Sequence, residues 1–263
     1  MKLDIKNPKH AYFIGFAQSD GTLHDESRSR GKFSMELQKS DEPLLRKMAE
    51  IFDCNTSIGY RSRDTNFKNG YESVVFRLYD HDTREEIRKY VPAGKKSSII
   101  FPPNGIVPRE YYRGIIDGDG SLGMTGAGFP FISLVTASEP LARGFEAYIK
   151  ELTGLEKHTN RNKRDGVYNI MVNKENAQTI IRELYYDGCM CLPRKKAEAE
   201  KALTWVRPAD MRIRSDKIVW TPIQDEFLVT HSPEECREMF HHLPSGRIWY
   251  RRTKLLKELS KIA

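Results

Sequence analysis

The chain has 263 residues, with 43 Lys and Arg against 36 Asp and Glu and a formal net charge of +7. With 39% hydrophobic and 30% charged residues, and no apolar run near the roughly 18 residues of a transmembrane helix, the composition argues for a folded soluble protein and against disorder or a membrane span. The positive excess fits a polyanionic partner but is too common among ordinary proteins to identify one.

The N-terminal stretch MKLDIKNPKH has neither the apolar core of a signal peptide nor an Arg/Ser-rich transit pattern. Cys54, Cys189, Cys191 and Cys236 form no CxxC pair and no Cys/His zinc spacing, so reduced thiols in an intracellular compartment are expected.

In chain order, Pro8 suits the first turn of a helix, and the apolar run AYFIGFAQ that follows ends at Asp20-Gly21, a helix stop and turn signal. Two strands come next, the second with Met35 and Leu37 alternating with Ser34, Glu36 and Gln38. A helix over Glu42 to Phe52, a hairpin over about Thr56 to Leu78 and a helix over Asp82 to Val91 complete the set. The same order then recurs. Pro108 starts a helix that ends at Asp119-Gly120, and Ile132 and Leu134 alternate with Ser133. A helix over Glu139 to Leu152, a hairpin over about His158 to Val172 and a helix over Asn176 to Tyr186 follow. Gly15, Asp20 and Gly21 lie 99 residues before Gly114, Asp119 and Gly120, while Glu42 and Tyr71 lie 97 before Glu139 and Tyr168. Matches at nearly constant spacing indicate an internal duplication, residues 1–104 and 105–203.

One Asp-Gly pair at a helix end is usually only a cap. Two such pairs, each closing a helix that is apolar nearly all round and carries a glycine five residues earlier, describe two central helices packed closely side by side. Their C-terminal ends would then bring Asp20 and Asp119 together near a pseudo-two-fold axis, where two carboxylates and the negative helix ends repel unless a cation joins them. Hard oxygen ligands of this kind suit Mg²⁺.

The segments FIGFAQSDG (Phe13 to Gly21) and YRGIIDGDG (Tyr112 to Gly120) resemble the nonapeptide of the LAGLIDADG homing endonucleases in their monomeric two-repeat form. The second copy matches better, because the first has Gln18 where the motif's earlier Asp is expected. The resemblance implies an α+β fold of two pseudo-symmetric αββαββα repeats whose sheets form a saddle on double-stranded DNA. It implies Asp20 and Asp119 as metal ligands and catalytic acids, with the backbone carbonyls of Ser19 and Gly118 as further ligands. Mg²⁺ is the expected cofactor, with Mn²⁺ substituting and Ca²⁺ supporting binding without cleavage. Each acid would serve one strand of a long target site, giving a double-strand break. A basic residue in each half supports such a site, and Lys96 and Lys195 are the candidates, each 76 residues after its acid. A mobile genetic element, intron-borne or free-standing, in a bacterial or phage-infected cytoplasm or an organelle, is the implied setting. The residues before the first motif do not look like a splicing segment, so an intact intein is not expected.

The DNA-facing candidates are Arg28, Arg30 and Lys32; Gln38; Arg61, Arg63 and Lys68; and Lys157, Asn160, Arg161, Asn162, Lys163 and Arg164. Arg61 and Arg63 should share one strand face, Arg can grip guanine edges or phosphates, and Asn can read adenine.

After Ala202 the repeat ends. Residues 204–218 read as a linker and residues 219–263 as a small all-α module, with capping boxes at Thr221/Gln224 and Ser232/Glu235 and a third helix from near Ser245. Its expected core is Trp220, Phe227, Leu228, Met239, Phe240, Leu243 and Ile248. The module resembles a Myb- or homeodomain-like helix-turn-helix. Six basic residues against one acid after Pro244 suit a recognition helix, with Arg247, Arg251, Arg252 and Lys254 as DNA contacts. The alternatives to an endonuclease are a non-cleaving regulator with the same architecture and an intron RNA maturase.

Overall fold

The computed structural model describes residues 2–25, 31–64, 69–209, 211 and 220–260. They fall into two units, Met1–Arg207 and Pro208–Ala263.

The first unit is built around two helices, α1 (Pro8–Asp20) and α4 (Pro108–Gly118). Each starts on a proline in its first turn, and the Asn7 side chain accepts the Lys9 N–H at 2.9 Å to cap α1. Every residue of α1 from Ala11 to Gln18, and of α4 from Glu110 to Asp117, is buried. A helix buried on all sides needs neighbours on all sides. Sheets and outer helices supply most of them, and each central helix supplies the other's remaining face. Gly15 and Gly114 set that contact: a β-carbon on Gly15 would stand 2.2 Å from Tyr111 O, and one on Gly114 2.3 Å from Tyr12 O. The helices meet backbone to backbone, as the glycine spacing anticipated.

After α1 come β1 (Gly21–Asp25), β2 (Gly31–Gln38), a short 3-10 turn, α2 (Glu42–Ala49), β3 (Thr56–Arg63), β4 (Tyr71–Leu78) and α3 (His81–Arg88). The strands form one antiparallel sheet in the order β1-β2-β4-β3. Phe33, Met35 and Leu37 of β2 face the core together with Val74, Phe76 and Leu78 of β4, and the opposite face carries the polar set. Helix α2 ends three residues before the expected Phe52, which folds back into the core against Phe13.

After α4 come β5 (Gly120–Met124), β6 (Pro130–Thr136), α5 (Glu139–Thr153), β7 (Tyr168–Asn173), α6 (Lys174–Leu184) and α7 (Pro193–Leu203). The second sheet has three strands, β5-β6-β7. Here the structure corrects the expected αββαββα order: residues 154–167 form no strand. The reason is local. Side chains of α5 take the Thr159 backbone, Glu146 accepting its N–H at 2.5 Å and Arg143 donating to its carbonyl at 3.1 Å. The tip then closes on itself through Asn162 N to Val167 O at 2.8 Å and Gly166 N to Asn162 O at 2.9 Å. The sequence EKHTNRNKRDG has no β-branched residue but one threonine, so nothing apolar recruits it to the sheet edge. Helix α7 was not expected, and it places Lys195 on a first turn where Lys96 occupies a turn. Residues 205–207 still belong to this unit, since Gln178 donates to Trp205 O at 2.8 Å and Arg207 pairs with Glu175. The rest of the expected linker, apart from 208, 209 and 211, lies outside the described residues.

The second unit comprises α8 (Pro222–Thr230), α9 (Pro233–Met239) and α10 (Ser245–Leu259). Both capping boxes form. Leu228, Cys236, Phe240 and Ile248 make its core, flanked by Trp220, Phe227, Leu243 and Leu255. Met239, expected in that core, is 57% exposed, and the buried Cys236 one turn earlier on α9 fills the core instead. All four cysteines are free thiols. Among the described residues no helix is long and apolar enough to cross a membrane.

Candidate functional site

Asp20 and Asp119 come together at the C-terminal ends of α1 and α4. A β-carbon on Gly118 would stand 2.3 Å from Ser19 Cβ and 3.3 Å from Asp20 Oδ2, so the residue next to Asp119 lies directly against Asp20 across the helix pair. Burial, and then the Asp119 charge, push Asp20 up to about 6, against the pull of Lys96, Lys195 and Arg194. Burial also raises Asp119, opposed by Lys96, the Ser19 hydroxyl and Lys195. The Ser19 hydroxyl is itself buried with no hydrogen bond of good geometry.

The two lysines reach the same place from opposite halves. Lys96 Nζ donates to Ala17 O at 2.6 Å and to Gly21 O. Lys195 Nζ donates to Asp117 O at 2.7 Å, Gly120 O at 2.9 Å and Ile116 O. Each thus caps the carbonyl-rich end of its own central helix, where a cation is favoured. Burial lowers both to about 8, the acids opposing the fall. The ammonium groups bond carbonyls, so their charge is not cancelled by a dedicated carboxylate. Asp20, Asp119, Lys96 and Lys195 converge, together with Ser19 and Gly118.

Arg194 also belongs here. It donates to Asp41 Oδ2 at 3.1 Å, an ion pair joining α7 to the segment before α2, and its charge acts on Asp20. The PRKK run drew attention to this segment, but α7 was needed to aim Arg194 toward Asp20.

Cross-strand register assembles a polar face on the first sheet: Lys32, Ser34, Glu36 and Gln38 of β2, Ser73, Val75 and Arg77 of β4, and Ser57, Gly59, Arg61 and Arg63 of β3. Glu36 organises it, pairing with Arg61 at 3.1 Å and Arg63 at 3.3 Å and accepting from Ser73 Oγ at 2.6 Å. Arg77 was not expected. Its guanidinium lies across Gly59, where a β-carbon would meet Nη1 at 2.9 Å. Arg77 stands at the period-2 positions of Ser73 and Val75, opposite the core-facing Val74, Phe76 and Leu78, and that alternation is the signal that could have found it. Arg28, Arg30 and Lys68 lie outside the described residues.

The second sheet presents Ser121, Gly123, Phe131, Ser133, Val135, Asn169, Met171 and Asn173 on its corresponding face, none of them charged, with the Glu198 carboxylate of α7 lying against Gly123. Asn160, Arg161, Asn162, Lys163 and Arg164 are exposed on the coil before β7, with Lys157 at its start. Asn162 and Arg161 hold the coil together, Arg161 Nε donating to Gly166 O at 2.7 Å.

In the second unit, two expected contacts serve the fold. Arg251 forks onto Asp225, and Arg252 donates to Leu228 O at 2.8 Å and His231 O at 2.9 Å, closing the end of α8. Tyr250, 75% exposed, and Lys254 stand outward on α10, while Arg237 lies over the Trp249 ring at 5.9 Å. Arg247, in the first turn of α10, is half-buried.

Among the described residues no group of three or more His, Cys, Asp or Glu side chains is placed to hold a metal. The donors at the helix ends are two carboxylates supplemented by backbone carbonyls.

Residues 107–185 match the LAGLIDADG-like domain family. No curated protein matches the chain. Among solved structures, the chain is similar to I-SmaMI bound to uncleaved DNA target in the presence of calcium ions, at 15% identity over 68% of this chain and 81% of that one, with a TM-score of 0.42. It is similar to mesophilic variants of the homing endonuclease I-DmoI at 12% identity, covering 73% and 97% with a TM-score of 0.49. It is also similar to the I-LtrWI LAGLIDADG homing endonuclease bound to target DNA at 11% identity, covering 75% and 88% with a TM-score of 0.44.

Proposed function

We propose that the protein is a site-specific, divalent-metal-dependent homing endonuclease that cuts both strands of a long duplex DNA target as a monomer. In this reading residues 1–104 and 105–203 are its two repeats, and residues 219–263 are a helix-turn-helix module that adds DNA contacts. The observation that carries it is the pair Asp20 and Asp119 at the abutting ends of α1 and α4, both raised above the ordinary carboxylate range, with one carbonyl-held lysine from each half beside them.

The residues fit a hard divalent cation. Two carboxylates that resist ionising together, with the closely approached Ser19 and Gly118 backbones beside them, are a hard-oxygen donor set. Asp20, Asp119 and the carbonyls of Ser19 and Gly118 would hold Mg²⁺, with Mn²⁺ as a substitute and Ca²⁺ as a support for binding alone. Bound there, the metal supplies polarisation of the phosphoryl oxygen, activation of water and stabilisation of the leaving 3′-oxygen.

The chain's own residues do the rest. Lys96 and Lys195 put positive charge where negative charge grows on the phosphate, preorganised by the helix-end carbonyls, so little reorganisation is needed as the reaction proceeds. Arg61, Arg63 and Arg77, set by Glu36 and Gly59, offer guanidinium groups from one pleated face to base edges or phosphates. Tyr250 and Lys254 on α10 offer a second, separate contact.

The test is incubation with a library of randomised duplexes and Mg²⁺, followed by sequencing of linear products. Asp20→Asn and Asp119→Asn should each abolish double-strand cleavage of the selected target while retaining binding in Ca²⁺. A target bound tightly yet left intact by the wild-type protein in Mg²⁺ would instead favour the non-cleaving regulator, which needs neither acid.

A further inference from the structure

We propose that Gln18 and Asp117, the sixth residues of the two nonapeptides, are positioning residues that each clamp the chain segment delivering a lysine to their own helix end, with opposite hydrogen-bond polarity in the two halves. The consequence for cleavage rests on the endonuclease reading, whereas the clamp itself rests only on geometry.

Gln18 is 1% exposed, and its Nε2 donates to Tyr90 O at 2.9 Å and Phe101 O at 3.0 Å. Those two carbonyls bracket residues 91–100, the segment that carries Lys96. Its Oε1 accepts the Tyr111 hydroxyl, from the opposite central helix, at 2.6 Å. Asp117 is fully buried, and Oδ1 accepts the Tyr185 hydroxyl at 2.7 Å while Oδ2 accepts the Leu192 N–H at 2.9 Å. Tyr185 and Leu192 bracket residues 186–191, and Leu192 O in turn accepts the Lys195 N–H at 3.0 Å, so the clamp sets the first turn of α7. Oδ2 also accepts the Tyr12 hydroxyl of the opposite central helix at 2.6 Å.

Each sixth-position side chain therefore ties together its own helix, a tyrosine of the opposite helix and both ends of a segment, which carries Lys96 in the first half and leads into Lys195 in the second. The chemistry of the ties is reversed. Gln18 gives two N–H donors to two carbonyls, which a carboxylate cannot do. Asp117 takes three donors, so an amide in its place must turn its NH₂ toward a tyrosine oxygen and give up accepting there. Gln18 is thus the partner its loop requires and not a decayed copy of the motif, and Gln18→Asp, which restores the usual acid, sets a carboxylate against two carbonyls and unties Lys96.

The test uses the full chain. Hydrogen exchange read by mass spectrometry, and labelling by an amine-reactive reagent at one fixed pH, report each segment without DNA. Gln18→Asp should raise exchange in residues 91–101 and labelling of Lys96 several-fold while leaving residues 186–195 and Lys195 as in the wild type. Asp117→Asn should do the reverse. Tyr111→Phe and Tyr185→Phe each remove one donor without a charge change and should give the same half-specific pattern in weaker form, so the idea remains testable if the first variants fail to fold. On a supercoiled plasmid bearing the selected target, Gln18→Asp should slow cleavage of one strand about 100-fold and so accumulate nicks on the other, with Asp117→Asn nicking the opposite strand. Equal loosening of both segments, no loosening of either, or equal slowing of both strands would overturn the proposal and leave these residues as core filling. Half-specific labelling with a wild-type protein that cuts no target would sink the endonuclease reading and leave the clamp standing.

Discussion

Gly15→Ala is the most direct perturbation of the arrangement that makes the site. In an ordinary helix interior the change would gain about 1 kcal/mol from helix propensity. Here the new carbon would stand 2.2 Å from Tyr111 O, 3.1 Å from Tyr111 C and 3.2 Å from Ile115 N. A carbon–oxygen contact needs about 3.3 Å, so α1 and α4 must part by roughly 1 Å, and the obstructing atoms are backbone that cannot swing aside. Overpacking of this kind costs about 1–3 kcal/mol, at the upper end here because two buried helices and the layers on them move together, so the clash wins over propensity. Because Asp20 and Asp119 are carried by the same two helices, a 1 Å separation should also cut the cleavage rate by about 100-fold. Urea unfolding followed by circular dichroism, with hydrogen exchange of Pro8–Asp20 and Pro108–Gly118, measures the first effect. Tryptophan fluorescence would not, since Trp220 and Trp249 report on the second unit and only Trp205 on the first. Gly126→Ala, where nothing lies within 4 Å of the added carbon, is the control and should stay within about 0.5 kcal/mol. A Gly15→Ala protein as stable as wild type, or more so, would refute the backbone-to-backbone contact.

Four further outcomes are expected. Asp20 sits near 6 when folded against an ordinary 3.8, so the folded state holds the proton more tightly and stability is lost as pH rises from about 4 to about 6; Asp20→Asn should then stabilise the metal-free protein by about 1–3 kcal/mol at pH 7.5, and Mg²⁺ should raise the melting temperature of wild type but not of the variant. Lys96 and Lys195, held near 8, lose their charge early, so cleavage should fall above pH 8 while folding stability, penalised at lower pH by their buried charge, rises between about 8 and 10.5; a rate flat to pH 10 contradicts this. Arg61→Ala, Arg63→Ala and Arg77→Ala should each lower the slope of log affinity against log salt by about 1 if they meet phosphates, and Asn169→Ala should leave the slope unchanged. Arg252→Ala should destabilise the second unit by about 1 kcal/mol through two lost part-buried bonds at the end of α8, seen in Trp220 and Trp249 fluorescence, whereas Lys254→Ala should weaken DNA binding without that loss.

Much of this was readable in the chain because it depends on local chemistry. Pro8 and Pro108 start the central helices, the alternation of β2 predicts which of its faces is buried, and the Thr221 and Ser232 capping boxes form as their spacing requires. Repetition made Asp20, Asp119, Lys96 and Lys195 stand out from dozens of chemically identical side chains. The errors arose where a segment's partner lies far away in sequence. Residues 154–167 could have been a strand by position, but α5 side chains took the Thr159 backbone first. Arg251 and Arg252 read as groove contacts by charge, yet Asp225 and the end of α8 lie close enough to claim them.

The sequence by itself determined the duplication, the two apolar helices with their glycines, and the acids that end them, because helix stops and hydrophobic periodicity act within a few residues. Only the tertiary structure decided what those acids face. The distance between α1 and α4, the burial that raises Asp20 and Asp119, the carbonyl cradles of Lys96 and Lys195, and the opposite roles of Gln18 and Asp117 all depend on atoms some 70 to 105 residues apart in the chain. Hydrogen-bond polarity and desolvation are properties of a packed environment, and no reading of one segment at a time contains them.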